Sequence, residues 1–574
     1  MPKFQTEKQM LAKTLLKEGD YKSIRDIIER VSRFYPDRQI LAELDSEKQI
    51  VYYTAKDMLE IIMNLGDGLI ARGLKDAHIA ICADNSCRYI LADMSISSGV
   101  GVVTPIDVEA PVELLEILLA KCEANAVICS ARCLEKLKAA AEKCPLLKSF
   151  ITIDKKVDGC LFYDDIVAEG EALKDNSVYR KIELDVEAPA KILFTSGTTG
   201  ANKGVVLTNA NLTANAINNL EVVEAEESNT SMSVLPMHHA TEINCHVMTR
   251  IASGRLTYIN DSMRNMMTNI KIFKPSCITI VPMIANVFYK SIWSGARKAG
   301  KAEKLEKGIK LCRLLRKFGI DKTHSMFPDV YAPFGGNLRM IVCGGAMLNP
   351  NVVRGMDDLG IRLENAYGIT ECGPLISMNG NPVEEYRSVG RPCPRLEVKL
   401  ADMNESGVGE LCVKGASISK GYYKDPEATA QVFDKDGFFH TGDNFYFDKE
   451  GRMILVGRKK NTIILGNGRN VSPEELENLI EINLEYATDV VVYQAKIHGG
   501  EDVICAGLYI KDEEKRADRE AIAADIKKIN QMVPDYKAIN YVELPDHEYE
   551  KTGSKKIKRA TLPYDCSGDG IKIL

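Results

Sequence analysis

Through roughly the first two-thirds of the chain, short apolar runs alternate with amphipathic stretches, the pattern of a mainly parallel sheet interleaved with helices. Residues 78–84 (HIAICAD) read as a strand, 87–99 (CRYILADMSISSG) as a helix and 99–106 (GVGVVTPI) as the next strand. The runs at 124–130, 149–154 and 275–282 are nearly continuous in apolar residues and bounded by turn or helix signals, as strands buried on both faces would be. Helices fit 111–121 and 133–143 between them. After residue 457 the texture changes: short strands at 462–465, 489–492, 503–510 and 541–544 surround helices at 472–482 and 517–532. That is a small α+β unit of roughly 115 residues, enough for a domain. The expected fold class is therefore α/β: a large multi-lobed N-terminal domain with mainly parallel sheets (1–457), a hinge (458–460) and a small mobile α+β C-terminal domain (461–574).

Composition narrows the class without naming a chemistry. A chain of 574 residues is too long for one compact core, and 45% apolar with 27% charged residues excludes disorder and fibrous repeats. Lys and Arg (74) against Asp and Glu (80) leave a net charge of −6, so no overall field draws nucleic acid, and none is expected as a partner. The 16 cysteines are scattered, with no CxxC pair and no zinc spacing, which fits reduced, mostly buried thiols. The N-terminus lacks the apolar run of a signal peptide, and no stretch reaches the ~18 apolar residues of a membrane span. The expected compartment is cytoplasmic, with oligomeric state left open.

The most informative segment is 191–212, KILFTSGTTGANKGVVLTNANL. An apolar strand runs into Thr195, Ser196, Gly197, Thr198, Thr199 and Gly200, Lys203 follows, and a second apolar strand leads to a helix that Thr208 or Asn209 can cap. Glycines admit a polyphosphate close to backbone, consecutive hydroxyl and N–H donors wrap its oxygens, and Lys203 adds charge. No Gly-Lys-Ser/Thr follows at Walker spacing, so the P-loop reading fails. A polar β-turn-β connection explains the glycines but not the four hydroxyls and the lysine.

This loop resembles the signature of the AMP-forming acyl-adenylate superfamily, which holds acyl-CoA synthetases, adenylation domains and luciferases, although the proline usual before the lysine is Asn202 here. Further blocks follow in the family's order from about residue 45 to about 560. LPMHHA places His239 where the family has a histidine beside the acyl and adenylate sites, and CGGAML supplies Gly344, Gly345 and Ala346 of the adenine-contacting turn. NAYGITECGP carries Asn365, Ala366, Tyr367, Gly368, Thr370 and Glu371; then come SVGRP, GELCVKG, GYYKDPE, FFHTGD with Asp443, and GRKKNTIILGNGRNVSPEELE with Arg458. His239 to Glu242 is similar to the His-x-x-Glu of long-chain fatty acyl-CoA synthetases, the branch the chain most resembles.

The resemblance implies ATP, Mg2+ and a carboxylic acid as reactants, giving acyl-AMP and pyrophosphate, followed by transfer of the acyl group to the thiol of CoA. A carboxylic acid is already ionised at neutral pH, so positioning and cations matter more than a base. The resemblance gives Glu371 to Mg2+, Thr370 to the α-phosphate, and Asp443 with Arg458 to the ribose. It gives the adenylation lysine to Lys556 in EKTGSKKIKRATL, where family members read Pro-Lys-Thr-x-x-Gly-Lys; because Lys555 stands where that glycine is usual, either adjacent lysine can reach the phosphate. Lys460 falls at the hinge position, and Gly466 and Gly468 flank the loop expected to pass the pantetheine arm. A medium- or long-chain fatty acid is the favoured substrate, with Glu242 left open as a partner for an amino acid's ammonium. The alternatives are an acyl-AMP ligase that loads the phosphopantetheine of an acyl carrier protein, and an inactive nucleotide-binding regulator. One further segment, 294–320, carries nine Lys/Arg against two Glu with apolar residues near helical spacing. It reads as one basic amphipathic helix, either packed on the body with its basic side in water or in peripheral contact with an anionic membrane.

Overall fold

The computed structural model describes residues 21–574 except 197–201, 224–229, 381–384, 466–468, 485, 498–499, 501, 552–556, 564 and 567–569. Its contacts divide the chain into two compact units. The first holds residues up to Ala346, Pro350–Glu397 and Val413–Phe439; the second holds Met347–Asn349, Val398–Cys412 and His440–Leu574. The units do not divide at residue 457. Strand Phe439–Phe447 pairs with Met453–Arg458, and its other neighbour is Gly409–Lys414, so sheet hydrogen bonds tie residues 440–457 to the strands before them in one four-stranded sheet.

The first unit is built on two sheets. The seven-stranded one runs, in spatial order, Leu161–Phe162, Ser149–Thr152, Ala126–Cys129, Ala77–Cys82, Gly101–Pro105, Pro189–Ser196 and Asn202–Thr208, all parallel except the final hairpin. Its apolar runs are continuous because both faces are covered. Ile79, Ile81 and Ile128 enter one core with helices Ile24–Phe34, Ala55–Ala71 and Cys87–Ser95. Their alternating neighbours Ala80, Cys82, Val127 and Cys129 enter another with helices Val112–Lys121 and Leu134–Ala141. The nine-stranded sheet has a parallel centre, Arg362–Gly368, Met340–Cys343, Cys277–Ile280, Thr230–Ser233, Leu256–Ile259 and Gln39–Leu44, closed by antiparallel strands at both edges.

The second unit has a four-stranded sheet and a five-stranded sheet. In the latter, Asp489–Ile497 and Asp502–Tyr509 form the central antiparallel pair. Helices Pro473–Asn483 and Arg519–Asn530 cover it with Leu476, Ile480, Ile522, Ile526 and Ile529, the expected α+β arrangement. The described cysteines are free thiols, all buried except Cys160 and Cys245.

The basic segment 294–320 is not one helix. Helix Pro282–Lys298 ends where Gly300 takes φ 66°, with Lys301 N donating to the Ala296 carbonyl at 2.8 Å, and a new helix starts at Ala302. Glycine closes a helix in this way because only it enters the left-handed region without strain.

One buried charge ties these layers together. Lys191, 1% exposed on the strand leading into the hairpin, donates to Asp93 Oδ1 at 2.7 Å and to Asn244 Oδ1 at 3.0 Å. Burial pushes the Asp93 carboxyl up, and Lys191 pulls it back. Replacing Lys191 by Met leaves that carboxylate without its counter-charge, so we expect Lys191→Met to cost about 3–5 kcal/mol in urea unfolding, and the added Asp93→Asn to restore most of it.

Candidate functional site

The phosphate-loop segment is a hairpin, with Thr195 opposite Lys203 and Ser196 opposite Asn202. Thr208 then caps helix Asn209–Val222, its hydroxyl accepting from Asn211 N at 3.2 Å while the Asn211 side chain accepts from Thr208 N at 3.0 Å. Gly197, Thr198, Thr199 and Gly200 lie outside the described residues.

The hairpin's second strand is bonded along its outer edge to residues 420–423. Lys420 N donates to the Val206 carbonyl (3.2 Å), Val206 N to the Gly421 carbonyl (2.9 Å) and Tyr423 N to the Gly204 carbonyl (2.7 Å). Tyr422 N is held in turn by Thr429 Oγ1 at 2.9 Å. The Tyr422 ring thereby lies under Lys203, whose Nζ is 4.7 Å from its centroid, and its hydroxyl donates to Glu371 Oε1 at 2.9 Å. Burial and the Glu371 charge push this hydroxyl up, so it stays protonated and donates. Ser419 N fixes the Glu371 main chain through its carbonyl at 2.8 Å. Lys203 and Glu371, distant in sequence, are thus joined by one aromatic side chain to which the sequence reading gave no role. Its only signal there was a tyrosine inside the GYYKDPE block.

Thr370, Glu371 and Cys372 form one tight turn after strand Arg362–Gly368. Among the described residues no cluster of three or more His, Cys, Asp or Glu could bind a metal ion alone. Glu371, half-buried with only Oε1 bonded among the described residues, suits an ion such as Mg2+ that keeps waters and shares substrate phosphates.

Gly344, Gly345, Ala366, Tyr367 and Gly368 line one cavity of the first unit, with Thr241, Cys245, His246, Leu375 and Met378 on other walls. A Cβ at Gly344 would come within 2.9 Å of the Ala366 carbonyl oxygen, so glycine is what lets the two strand ends meet. Ala346 is exposed, and Asn365 is buried with its amide donating to the Ser388 carbonyl at 3.3 Å. The buried thiols of Cys343 and Cys372 sit beside these residues as small fillers.

The facing wall is a π-helical stretch, Thr241–Val247, that continues as the α-helix Met248–Ala252. Glu242 is fully buried within it and accepts from His246 Nδ1 at 2.8 Å. One of its carboxylate oxygens is thus committed to His246, and Glu242 is not among the residues lining the cavity. His239 is exposed, next to His238 with ring centroids 4.1 Å apart, and does not line the cavity.

In the second unit, Asp443 and Arg458 stand opposite each other on neighbouring strands, and Arg458 Nε lies 2.9 Å from Asp443 Oδ1. Asp443 is 3% exposed, its N–H donating to Thr441 Oγ1 at 3.1 Å. Glu410, in the GELCVKG block, organises this turn: it accepts from Gly442 N at 3.0 Å and from Lys459 Nζ at 2.8 Å. Lys460 is exposed in the short turn Lys459–Asn461, and burial and Arg458 lower its amine. Gly466, Gly468, Lys555 and Lys556 lie outside the described residues.

A parallel-rich body with a glycine-turn cavity, and a second α+β unit in which Arg458 pairs with the buried Asp443, define the two-domain fold of adenylate-forming ligases. Solved structures with this fold include an anthranilate CoA ligase bound to anthranoyl-AMP (TM-score 0.76, 17% identity, 94% of this chain and 96% of that one). Another is the adenylation domain of a Segniliparus rugosus carboxylic acid reductase with AMP (TM-score 0.75, 19% identity, 96% and 94%). The profile of the AMP-binding enzyme family matches residues 28–423, and the chain belongs to that family. Among curated relatives, the rat long-chain-fatty-acid–CoA ligase 6 is 32% identical over 342 residues, 56% of this chain and 48% of its own length. A chloroplastic long-chain-fatty-acid–[acyl-carrier-protein] ligase of Arabidopsis thaliana is 26% identical over 591 aligned positions, gaps included, that cover 90% of this chain and 80% of its own. The chain thus spans about half the length of the rat enzyme.

The paired histidines make the first unit sensitive to acid. Burial first, then the His239 ring, depress the His238 imidazole to about 4, against the opposing pull of Asp107. Its folded value lies below the unfolded 6.5, so the stability it contributes is present above pH 6.5 and lost as pH falls toward 4. Between pH 7 and pH 5 urea unfolding should show a loss of order 2 kcal/mol that His238→Gln largely removes.

Proposed function

We propose that the protein activates a medium- or long-chain fatty acid with ATP, forming acyl-AMP and pyrophosphate, and then transfers the acyl group to the thiol of CoA. The observation that carries this reading is the Lys203–Tyr422–Glu371 link at the phosphate hairpin, in the same unit as the cavity lined by Gly344, Gly345, Ala366, Tyr367 and Gly368. The acid arrives ionised, so the chain's task is to hold its carboxylate in line with the α-phosphate and to offset crowded negative charge. Lys203 supplies one cation, and the donors of Thr195 to Gly200 wrap the phosphate oxygens. Thr370 bonds the α-phosphate, and Tyr367 stacks on adenine. Bound Mg2+, held by Glu371, would neutralise phosphate charge. Asp443, oriented by Arg458, accepts the ribose hydroxyls. Lys556, or its neighbour Lys555, serves adenylation from the C-terminal domain. Lys460 and the Gly466–Gly468 loop serve thioester formation.

Support for a fatty acid comes from the mainly apolar walls contributed by Val223, Val342, Leu375 and Met378, and from the relatives' names. The match to the Arabidopsis acyl-carrier-protein ligase, which covers most of this chain, favours carrier protein as the second candidate acceptor. Purified protein with ATP, Mg2+ and a fatty-acid panel, given CoA or acyl carrier protein, decides between them. AMP release with fatty acid and acyl-CoA with CoA are expected; thioester with carrier protein alone would overturn the CoA assignment. Failure to exchange pyrophosphate with any acid would reduce the protein to a nucleotide-binding regulator.

Two variants test the residue roles. Lys556→Ala should lower pyrophosphate exchange by about 100-fold or more while conversion of supplied acyl-AMP to thioester persists. Tyr422→Phe keeps the ring under Lys203 but loses the bond to Glu371. We expect adenylation to fall about 10-fold at an unchanged fatty-acid KM, with a higher Mg2+ requirement.

A further inference from the structure

Of the two helices into which the basic segment divides, the second carries an exposed apolar surface. Helix Ala302–Arg316 buries Leu305, Ile309 and Cys312 on one side. Its opposite side and the following turn leave Leu311 (47%), Leu314 (53%), Phe318 (74%) and Ile320 (45%) in solvent. Leu311 and Leu314 share one stripe of the helix at i, i+3 spacing, and Phe318 follows in the turn just past its end. The turn after the helix is closed by Ile320 N donating to the Leu315 carbonyl at 3.1 Å, which sets Phe318 and Ile320 at its tip.

Charge surrounds this line on one sign. From residue 310 to 322 the chain carries Lys310, Arg313, Arg316, Lys317 and Lys322 against a single acidic residue, Asp321. Arg313 is taken by Asp358, and Arg316 by Asp321 and Asp357. Lys310, Lys317 and Lys322 are exposed and form no ion pair among the described residues. In a chain of net charge −6 this is a local excess of unneutralised cations flanking exposed large hydrophobics. A protein partner would be expected to meet the lysines with carboxylates on its own surface and the stripe with a groove. The stripe here is instead the exposed side of a helix and its closing turn beside these lysines, an arrangement that sinks between lipid headgroups while the lysines meet their phosphates.

We propose that the 310–322 region of the first unit is a docking surface for an anionic lipid bilayer, with Leu311, Leu314, Phe318 and Ile320 entering the headgroup boundary and Lys310, Lys317 and Lys322 contacting lipid phosphates. The assignment stands independently of the acyl substrate and is tested without turnover. Full-length protein is sedimented with phosphatidylcholine vesicles containing or lacking phosphatidylglycerol, at low and high salt. Binding is expected only with phosphatidylglycerol, weakened by salt. Leu314→Ser/Phe318→Ser should weaken it about 10-fold or more, and Lys310→Glu/Lys317→Glu should abolish it. These side chains are solvent-exposed, so both double variants should keep the parent's circular dichroism and urea midpoint. Phe318→Trp should gain a blue-shifted emission on binding that the parent's single tryptophan, Trp293, does not. Equal sedimentation with both vesicle types, or binding unchanged by either double variant, would overturn the proposal. So would self-association through the stripe without vesicle binding.

Discussion

A lysine cannot be left alone inside a protein, and the partners that Lys191 requires set the geometry of the first unit. Its ammonium is satisfied by Asp93 from helix Cys87–Ser95 and by Asn244 from the π-helical stretch. Asn244 passes the constraint on through its carbonyl, which accepts from Asn215 Nδ2 at 3.1 Å, while Asn215 Oδ1 accepts from Leu375 N at 3.3 Å. A chain of polar contacts therefore runs from the strand leading into the phosphate hairpin, through the cavity wall, to the strand that follows the Glu371 turn. Breaking any link strands a buried donor or acceptor, which costs more than the bond contributes. The cavity and the hairpin are held in register by desolvation as much as by attraction.

Much of this was legible because two-sided burial leaves a plain mark. Strands such as Ala126–Cys129, apolar throughout, and Ala77–Cys82, apolar but for His78, read so since each face meets its own core, and helices fall between them with little ambiguity. The blocks carrying Gly344, Tyr367 and Asp443 announced themselves by glycine, aromatic and acidic residues in turn contexts. Tyr422 and Glu410 were hidden within equally visible blocks. Their importance depends on which side chain a strand register aims inward, and on a partner dozens or hundreds of residues away. Sequence spacing is silent on both.

The same limit explains the misread basic segment and the open question of Glu242. The run of basic residues continues smoothly across Gly300, and only the backbone shows that one helix ends there and another begins. Glu242 reads as a free acidic group beside a histidine pair until His246, one turn on, is found bonded to it. Local chemistry was correct in both cases, but the competing neighbour decided the outcome.

The π-helical stretch Thr241–Val247 has a consequence for how this pocket can change over time. A π turn holds one residue more than an α-helical turn, and here it runs directly into Met248–Ala252. The wider turn absorbs a surplus residue locally, so loss of a single residue from the stretch would let α-helical bonding close while the helix beyond it keeps its place. Thr249 and Arg250 would stay on the wall, and only the side chains of the stretch itself, Thr241, Cys245 and His246, would be re-aimed. That part of the pocket's lining is thus set by residue count as well as by residue identity, and a one-codon deletion would re-line it in a single step that no substitution reproduces.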